Sequence, residues 1–77
     1  MNVAYFRDED TLYIELLPET ADHSWEAHPG ININIAADGR IVGIEIENAT
    51  DRIDMSVLRV GNFPGIVHSA KGSGSTH

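Results

Sequence analysis

The sequence predicts a small α+β fold, in which an antiparallel sheet of four to five strands is built from two hairpins and one C-terminal helix packs on it. Near the N-terminus, two strand-like segments flank a short acidic loop. Further along, two alternating segments flank an Asp-Gly turn, and a polar cluster typical of a helix start follows them. We expect residues 1–68 to form a single domain and residues 69–77, rich in Gly and Ser, to form a flexible tail.

The first hairpin is predicted from residues 2–6 and 11–17, with Asp8-Glu9-Asp10 as the loop between them. In its second strand, one set of side chains is apolar and alternates with a more polar set, namely Leu12, Ile14 and Leu16 against Thr11, Tyr13 and Glu15. This alternation indicates a strand with one face toward the core and one face outward. Pro18 ends the strand because it cannot donate a ladder hydrogen bond.

Residues 19–30 show the weakest pattern, and we expect a loop there that could include a short strand around residues 24–27. The pair Pro29-Gly30 matches the centre of a type II turn, since proline presets φ near about −65° and glycine accepts the positive φ that follows. A strand is therefore predicted to begin at Ile31.

The second hairpin is the most strongly patterned part of the chain. Apolar residues alternate on both sides of Asp38-Gly39, and they are Ile31, Ile33 and Ile35 before the turn and Val42, Ile44 and Ile46 after it. When the two strands pair, these six side chains are expected on one face. Gly43 weakens its strand unless a neighbouring ring covers it, and Tyr13 is the candidate for that cover.

A helix is predicted from about Ala49 to about Arg59, packed against the sheet. Asn48 or Thr50 can cap its first backbone amides, and acidic residues in the first turns suit the helix dipole. Its apolar stripe consists of Ile53, Val57 and Leu58. Gly61 and then Pro64 end the helix.

Composition excludes several classes of function. The 77-residue chain has 12 acidic against 5 basic residues, a net charge of −7, so its field repels nucleic-acid phosphates and anionic lipids. It has no cysteine, which excludes disulfides, thiolate nucleophiles and cysteine-based metal centres. We expect a cytoplasmic protein without direct nucleic-acid or membrane binding, and without a cofactor.

Two blocks of sequence carry a family resemblance. The first block consists of Tyr5, Asp10, Leu12, Tyr13 and Ile14. The second block runs from Asp38 to Thr50 and includes Asp38, Gly39, Gly43, Ile44, Glu45 and Ile46. Together these blocks resemble the YuzE-like family of small proteins of unknown function (DUF 2283). The family often has an aspartate directly after the first tyrosine, where this chain has Phe6.

The resemblance implies an α+β domain of antiparallel strands with a terminal helix, in agreement with the residue pattern. It implies no established activity. Members of the family are sometimes encoded beside small toxin-like proteins, so the resemblance also implies an antitoxin-like or partner-binding role.

Candidate chemistry on the chain is sparse. On the face opposite the six aliphatic residues, Glu15, Glu45 and Glu47 could hold a divalent cation, although such carboxylates are usually a solvated sheet face. His23 and His28 could ligate a metal ion, but their spacing matches no zinc signature. No pattern of nucleophile and base is present, so we assign no catalytic, cofactor-binding or metal residues, and an enzyme is not expected.

The favoured function is a protein-interaction module, either a homodimer or an antitoxin-like partner of a small basic protein. The predicted interface lies on the face opposite the aliphatic residues and comprises Tyr13, Glu15, Leu17, Ile41, Glu45 and Glu47. Apolar surface with a polar rim is a usual mark of an interface. The alternative is a small-ligand or divalent-metal-binding protein that uses the carboxylates or the histidines above. Whether residues 60–68 cover this face is left open.

Overall fold

Five antiparallel strands form one sheet, which confirms the predicted fold class. The strands are β1 (Asn2–Phe6), β2 (Thr11–Glu15), β3 (His23–His28), β4 (Ile31–Ile35) and β5 (Ile41–Ile46). Their spatial order is β1-β2-β5-β4-β3, and every neighbouring pair is antiparallel. The computed structural model describes residues 1–69, so the predicted flexible tail lies outside the described residues from residue 70 onward.

Tight turns connect the strands at the predicted places. Gly30 has a φ of 85°, the positive value that the third residue of a type II turn requires. The backbone N–H of Gly39 donates to the carbonyl of Ala36 over 2.9 Å and closes the Asp-Gly turn between β4 and β5. A 3-10 turn over Arg7–Glu9 connects β1 to β2. These turns set which strands become neighbours.

The edge strand β3 confirms the short strand considered around residues 24–27 and extends it by one residue at each end, so less of this region is loop than expected. It pairs with β4 from His23, opposite Ile35, to His28, opposite Ile31, with an irregularity near Glu26. All six of its residues are exposed. The strand forms because β4, which follows directly after the Pro29-Gly30 turn, supplies a hydrogen-bonding partner, whereas the side chains of β3 show no clear alternation.

Strand pairing sorts the side chains onto two faces, because directly opposite residues in an antiparallel pair share a face. The apolar face carries Val3, Tyr5, Leu12, Ile14, Trp25, Ile31, Ile33, Ile35, Ile44 and Ile46, with His23 and His28 at its β3 edge. The polar face carries Asn2, Ala4, Phe6, Thr11, Tyr13, Glu15, Ser24, Glu26, Asn32, Asn34, Gly43 and Glu45. The predicted aliphatic alignment is confirmed at the two pairs Ile33–Ile44 and Ile31–Ile46, while a bulge places Ile41 opposite Ile35.

The helix is much shorter than predicted. α1 spans Ala49–Arg52, and Ile53 already has extended backbone angles. The carboxylate of Asp54 accepts a hydrogen bond of 3.0 Å from the backbone N–H of Ser56, so it competes for a backbone group that a longer helix would use. The prediction of a helix reaching Arg59 is therefore wrong, although a terminal helix is present.

α1 lies across one end of the sheet and joins two hairpin turns. Ala49 is completely buried, and its N–H donates to the carbonyl of Asp10 over 2.9 Å. At the other end of α1, the guanidinium of Arg52 donates to the carbonyl of Pro29 over 2.9 Å. The short helix thus closes the end of the sheet and leaves both sheet faces free.

The segment after α1 does not form a second layer. Every residue from 54 to 69 is exposed, so residues 60–68 cover neither face. Within the described residues, only Thr11, Ala36, Val42, Gly43 and Ala49 are buried, and no large side chain is fully buried. The Cα radius of gyration is 13.4 Å, against about 11 Å for a compact domain of this size. No helix in residues 1–69 has the length and apolar character needed to cross a membrane.

Candidate functional site

The apolar face is organised as rows of side chains that cross the sheet. One row crosses all five strands and consists of Val3, Ile14, Ile44, Ile33 and Trp25. A parallel row consists of Tyr5, Leu12, Ile46, Ile31 and His28. Since neighbouring strands lie about 4.8 Å apart, each row is about 19 Å long. The rows form a continuous patch rather than scattered apolar residues.

This patch has no cover among the described residues. The aliphatic side chains at its centre are half-buried. At its margins, Val3 is 44% exposed and Trp25 is 57% exposed. A sheet ordinarily buries its apolar face against a second layer. The apolar face is therefore a surface that a partner would be expected to cover.

The apolar face also carries no charged residue at neutral pH. Its only titratable groups are Tyr5 and the two histidines at the β3 edge. The polar face, in contrast, carries the carboxylates of Glu15, Glu26 and Glu45. Since the chain has a net charge of −7, the apolar face can approach a like-charged molecule with less repulsion than the polar face, because the carboxylates near it are confined to its edges, at Asp10 beside Tyr5 and Asp22 beside His23.

On the polar face, the ring of Tyr13 covers Gly43, as the sequence predicted. A Cβ atom at Gly43 would overlap the Tyr13 hydroxyl and would lie 2.6 Å from Tyr13 Cζ. The Tyr13 hydroxyl accepts a 3.5 Å hydrogen bond from the Asn34 amide, whose oxygen accepts a 2.6 Å hydrogen bond from Ser24. This chain of contacts ties β2, β4 and β3 together and fixes the Tyr13 ring.

A shallow open depression lies beside Tyr13. It has a volume of about 360 Å³ and is lined by Phe6, Glu9, Thr11, Tyr13 and Glu45. Two aromatic rings and two carboxylates around one depression suit a cationic side chain, because rings attract cations through their faces and carboxylates attract them directly. The depression is open to solvent and does not enclose a small molecule.

The two histidines considered as alternative metal ligands are not brought together. His23 and His28 lie opposite residues four positions apart on β4, a separation of about 14 Å along the strand. His23 Nδ1 lies 3.0 Å from a carboxylate oxygen of its neighbour Asp22. In the part of the chain that the structure describes, no group of three or more His, Cys, Asp or Glu side chains could hold a metal ion.

The predicted interface residues are divided between two places. Tyr13, Glu15 and Glu45 lie on the polar face as expected. Glu47 follows β5, and its N–H donates to the carbonyl of Gly30 over 2.8 Å. Leu17 follows β2, and Ile41, which is 45% exposed, lies at the β5 bulge. The helix that was expected to cover the apolar face is too short to do so, and the uncovered apolar surface therefore lies mainly on the opposite side of the sheet from these residues.

Asp10 joins three elements at the end of the sheet. Its carboxylate accepts hydrogen bonds from the Tyr5 hydroxyl over 2.8 Å and from the Thr50 hydroxyl over 2.7 Å. The backbone N–H of Thr50 also donates to it, over 3.2 Å. Asp10 therefore caps α1, whereas the predicted cap Asn48 makes no side-chain capping bond. No sequence signal marks this cap, because the capping residue precedes Thr50 by forty positions.

These hydrogen bonds also set the protonation of the cluster. The Thr50 hydroxyl, and then the Tyr5 hydroxyl, hold the pKa of the Asp10 carboxyl below its ordinary value. The bond to Asp10 in turn raises the pKa of the Tyr5 phenol. A carboxylate that stays ionised and fully hydrogen-bonded is a poor general base near neutral pH. The cluster is best explained as a structural link between β1, β2 and α1.

The two sequence blocks noted above now have structural roles. Tyr5 and Asp10 are hydrogen-bonded to each other, and Asp38 shapes the β4–β5 turn by accepting hydrogen bonds from Arg40. The family model for Protein of unknown function (DUF2283) matches residues 2–49. The chain belongs to the DUF2283 family.

The DUF2283 match includes all five strands and ends at Ala49, the first residue of α1. No curated protein and no solved structure gives a significant match to the chain. The DUF2283 description states no activity. Function must therefore be inferred from the two sheet faces and the segment that follows them.

Proposed function

We propose that this DUF2283 protein is a protein-interaction module that forms a homodimer, in which the apolar faces of two copies pack against each other. The observation that supports this most is a charge-free apolar face that spans five strands and has no second layer among residues 1–69. Face-to-face packing of two sheets at about 10 Å is a standard way to bury such surfaces. The polar faces then lie outward, where their carboxylates remain solvated.

Charge favours a second copy as the occupant of this face. In a two-fold symmetric dimer the same patch contributes from both sides. A patch with carboxylates would then oppose itself, whereas the apolar face contains no Asp, Glu, Lys or Arg. Repulsion between two chains of net charge −7 is also weakened by salt, because the charged groups lie at the periphery.

The position of Trp25 supports an interface on this face. Tryptophan is enriched at the energetically dominant positions of protein interfaces. The only tryptophan of the chain is in the apolar row, on the edge strand, and 57% of its surface is exposed. Burial of this ring against a second copy would recover apolar surface that the single chain leaves in water.

Two neighbouring substitutions on β3 test the proposal. Trp25→Glu places a carboxylate on the apolar face, and Ser24→Glu places the same carboxylate on the polar face of the same exposed strand. Sedimentation equilibrium should show a dimer for the parent chain and for Ser24→Glu. For Trp25→Glu we expect a dimer weakened by roughly thirtyfold or more, since truncation of a tryptophan hot spot costs about 2 kcal/mol or more. A parent chain that is monomeric at all concentrations would overturn the proposal.

A second candidate function is supported by the depression on the polar face. We propose that Tyr13, Glu45 and Glu9 contact a basic protein there, as an antitoxin-like role would require. The predicted interface residues Glu15 and Glu47 add negative charge nearby. Titration with a lysine- and arginine-rich peptide should shift the amide resonances of Tyr13 and Glu45, and Glu45→Gln should weaken this binding more than Asp22→Asn. Shifts spread evenly over all acidic residues would contradict a specific contact.

A further inference from the structure

The chain carries a second apolar surface that lacks a partner, namely residues 54–69, here called the C-terminal arm. Its large apolar side chains are all exposed, with exposed fractions from 36% to 79%, and they are Met55, Val57, Leu58, Val60, Phe63, Ile66 and Val67. After Asp54, the only charged side chain at neutral pH in the arm is Arg59. A segment of this composition is not a typical solvated linker, since linkers are rich in polar residues.

The arm has the reach to cover a neighbouring molecule. It begins directly after Ile53, at the end of the sheet that α1 closes. Sixteen residues, from 54 to 69, span up to about 50 Å when extended, which is more than twice the roughly 19 Å between the outermost strands of the sheet. Its starting point is fixed by the buried Ala49 and by the bond from Arg52 to Pro29.

The apolar face alone is smaller than a standard dimer interface, so the arm could supply additional contact area. Five strands of about five residues give a footprint of roughly 400 Å² per copy, while a standard interface buries about 800 Å² per partner. Sheet-to-sheet packing alone therefore gives a small interface. The margins of the face are its most exposed parts, at Val3 and Trp25, and twisted sheets in a sandwich leave such corners uncovered.

We infer that the C-terminal arm of each copy docks on the margin of the apolar face of the other copy. This inference rests on the proposed homodimer and adds an exchange of arms to it. The arm does not cover its own sheet, since all its residues are exposed. In the exchanged dimer, the apolar side chains of the arm cover the corners that the sandwich leaves open. The arm and the margin of the apolar face then bury each other's apolar surface.

The absence of cysteine makes the inference directly testable in the full chain. One copy carries Leu58→Cys in the arm, and a second, isotope-labelled copy carries Trp25→Cys at one margin or Val3→Cys at the other. After mixing and mild oxidation, mass spectrometry identifies disulfides between labelled and unlabelled copies. The matched control is Glu26→Cys, which lies next to Trp25 on β3 but on the polar face. The two margins are tested separately because loss of the Trp25 ring itself weakens the proposed dimer.

We expect the Leu58→Cys copy to form a disulfide with the Trp25→Cys or the Val3→Cys copy. The rate of this reaction should be at least about tenfold higher than the rate with the Glu26→Cys copy. A further variant carries Leu58→Cys and Val3→Cys in the same chain, and disulfides that form only within that chain would show that the arm folds back on its own sheet and would overturn the exchange. A parent dimer whose arm forms no disulfide at either margin would overturn the exchange and leave the sheet-to-sheet dimer intact. A monomeric parent chain would overturn both proposals.

Discussion

The carboxylate of Asp10 accepts a 2.7 Å hydrogen bond from the hydroxyl of Thr50, forty positions later in the chain. Together with the bond from the Ala49 N–H to the Asp10 carbonyl, it fixes α1 to the turn between β1 and β2. An isolated helix of four residues has no stability in water. α1 therefore exists because of tertiary contacts, and Asp10 provides several of them.

Replacement of Asp10 by asparagine should destabilise α1 and the domain. The amide keeps the left-handed backbone that Asp10 adopts, with a φ of 48°. However, it leaves one acceptor oxygen where Tyr5 and Thr50 now use two. Urea denaturation should show a lower midpoint, and amide exchange of Ile53, which donates to Ala49, should accelerate. Asp8→Asn, in the same turn, is the control, and an equal midpoint for both variants would contradict the role of Asp10.

The contribution of Asp10 should depend on pH at both extremes. The Thr50 and Tyr5 hydroxyls lower the folded-state pKa of Asp10 from its ordinary value of 3.8. The stabilisation that Asp10 provides is therefore fully present above pH 3.8, and it is lost as the pH falls through the folded-state pKa. The hydrogen bond to Asp10 raises the folded-state pKa of Tyr5 from its ordinary value of 10.0. The stabilisation from this hydrogen bond is therefore lost as the pH rises through the folded-state pKa of Tyr5. The difference in melting temperature between the parent and Asp10→Asn should be constant near neutrality and shrink at both ends.

Addition of a methyl group at Gly43 should destabilise the sheet, because the new Cβ would overlap the Tyr13 side chain. Overpacking of this kind costs about 1–3 kcal/mol. Gly61→Ala is the control, since nothing lies within 4 Å of a Cβ there. Removal of the ring in Tyr13→Ala should make the Gly43→Ala change cost less, and this can be measured in a double-mutant cycle. Additive effects of the two substitutions would contradict the contact.

Thermal stability should rise with chain concentration, because a dimer is stabilised by mass action. Trp25 reports on the same equilibrium, since its exposed ring moves into an apolar environment on association. Its emission should shift to shorter wavelength as the concentration increases, with the same midpoint as the change in melting temperature. An emission spectrum that does not change with concentration, together with a constant melting temperature, would rule out burial of Trp25 by a second copy.

Local signals in the sequence predicted most of the sheet. The bounds of β1 and the turns at Gly30 and Gly39 follow from residue types that favour strands and positive φ. These features depend on short stretches of chain, and short stretches were sufficient. The cover of Gly43 by Tyr13 joins two strands distant in sequence, and it was predicted because a glycine inside a strand leaves space for a neighbouring ring.

Features that depend on distant partners were not predictable in the same way. Ile53, Val57 and Leu58 have helical spacing, but they lack a surface to pack on, and Asp54 turns the chain instead. β3 has little apolar alternation and forms through its pairing with β4. The candidate surface was assigned to the face of Tyr13 because a long helix was expected on the other face. With a helix of four residues, the face with the row through Ile33 and Ile44 is left without a cover among the described residues.

The most direct test of the homodimer is an isotope-filtered NOE experiment on an equimolar mixture of labelled and unlabelled chains, which detects only contacts between copies. We expect intermolecular NOEs from the methyl groups of Ile33 and Ile44 of one copy to the indole of Trp25 of the other. Intermolecular NOEs confined to Tyr13 and Glu45 would place the interface on the polar face and contradict the proposed dimer. The absence of any intermolecular NOE, at a solution mass of the single 8.4 kDa chain, would contradict dimerisation itself.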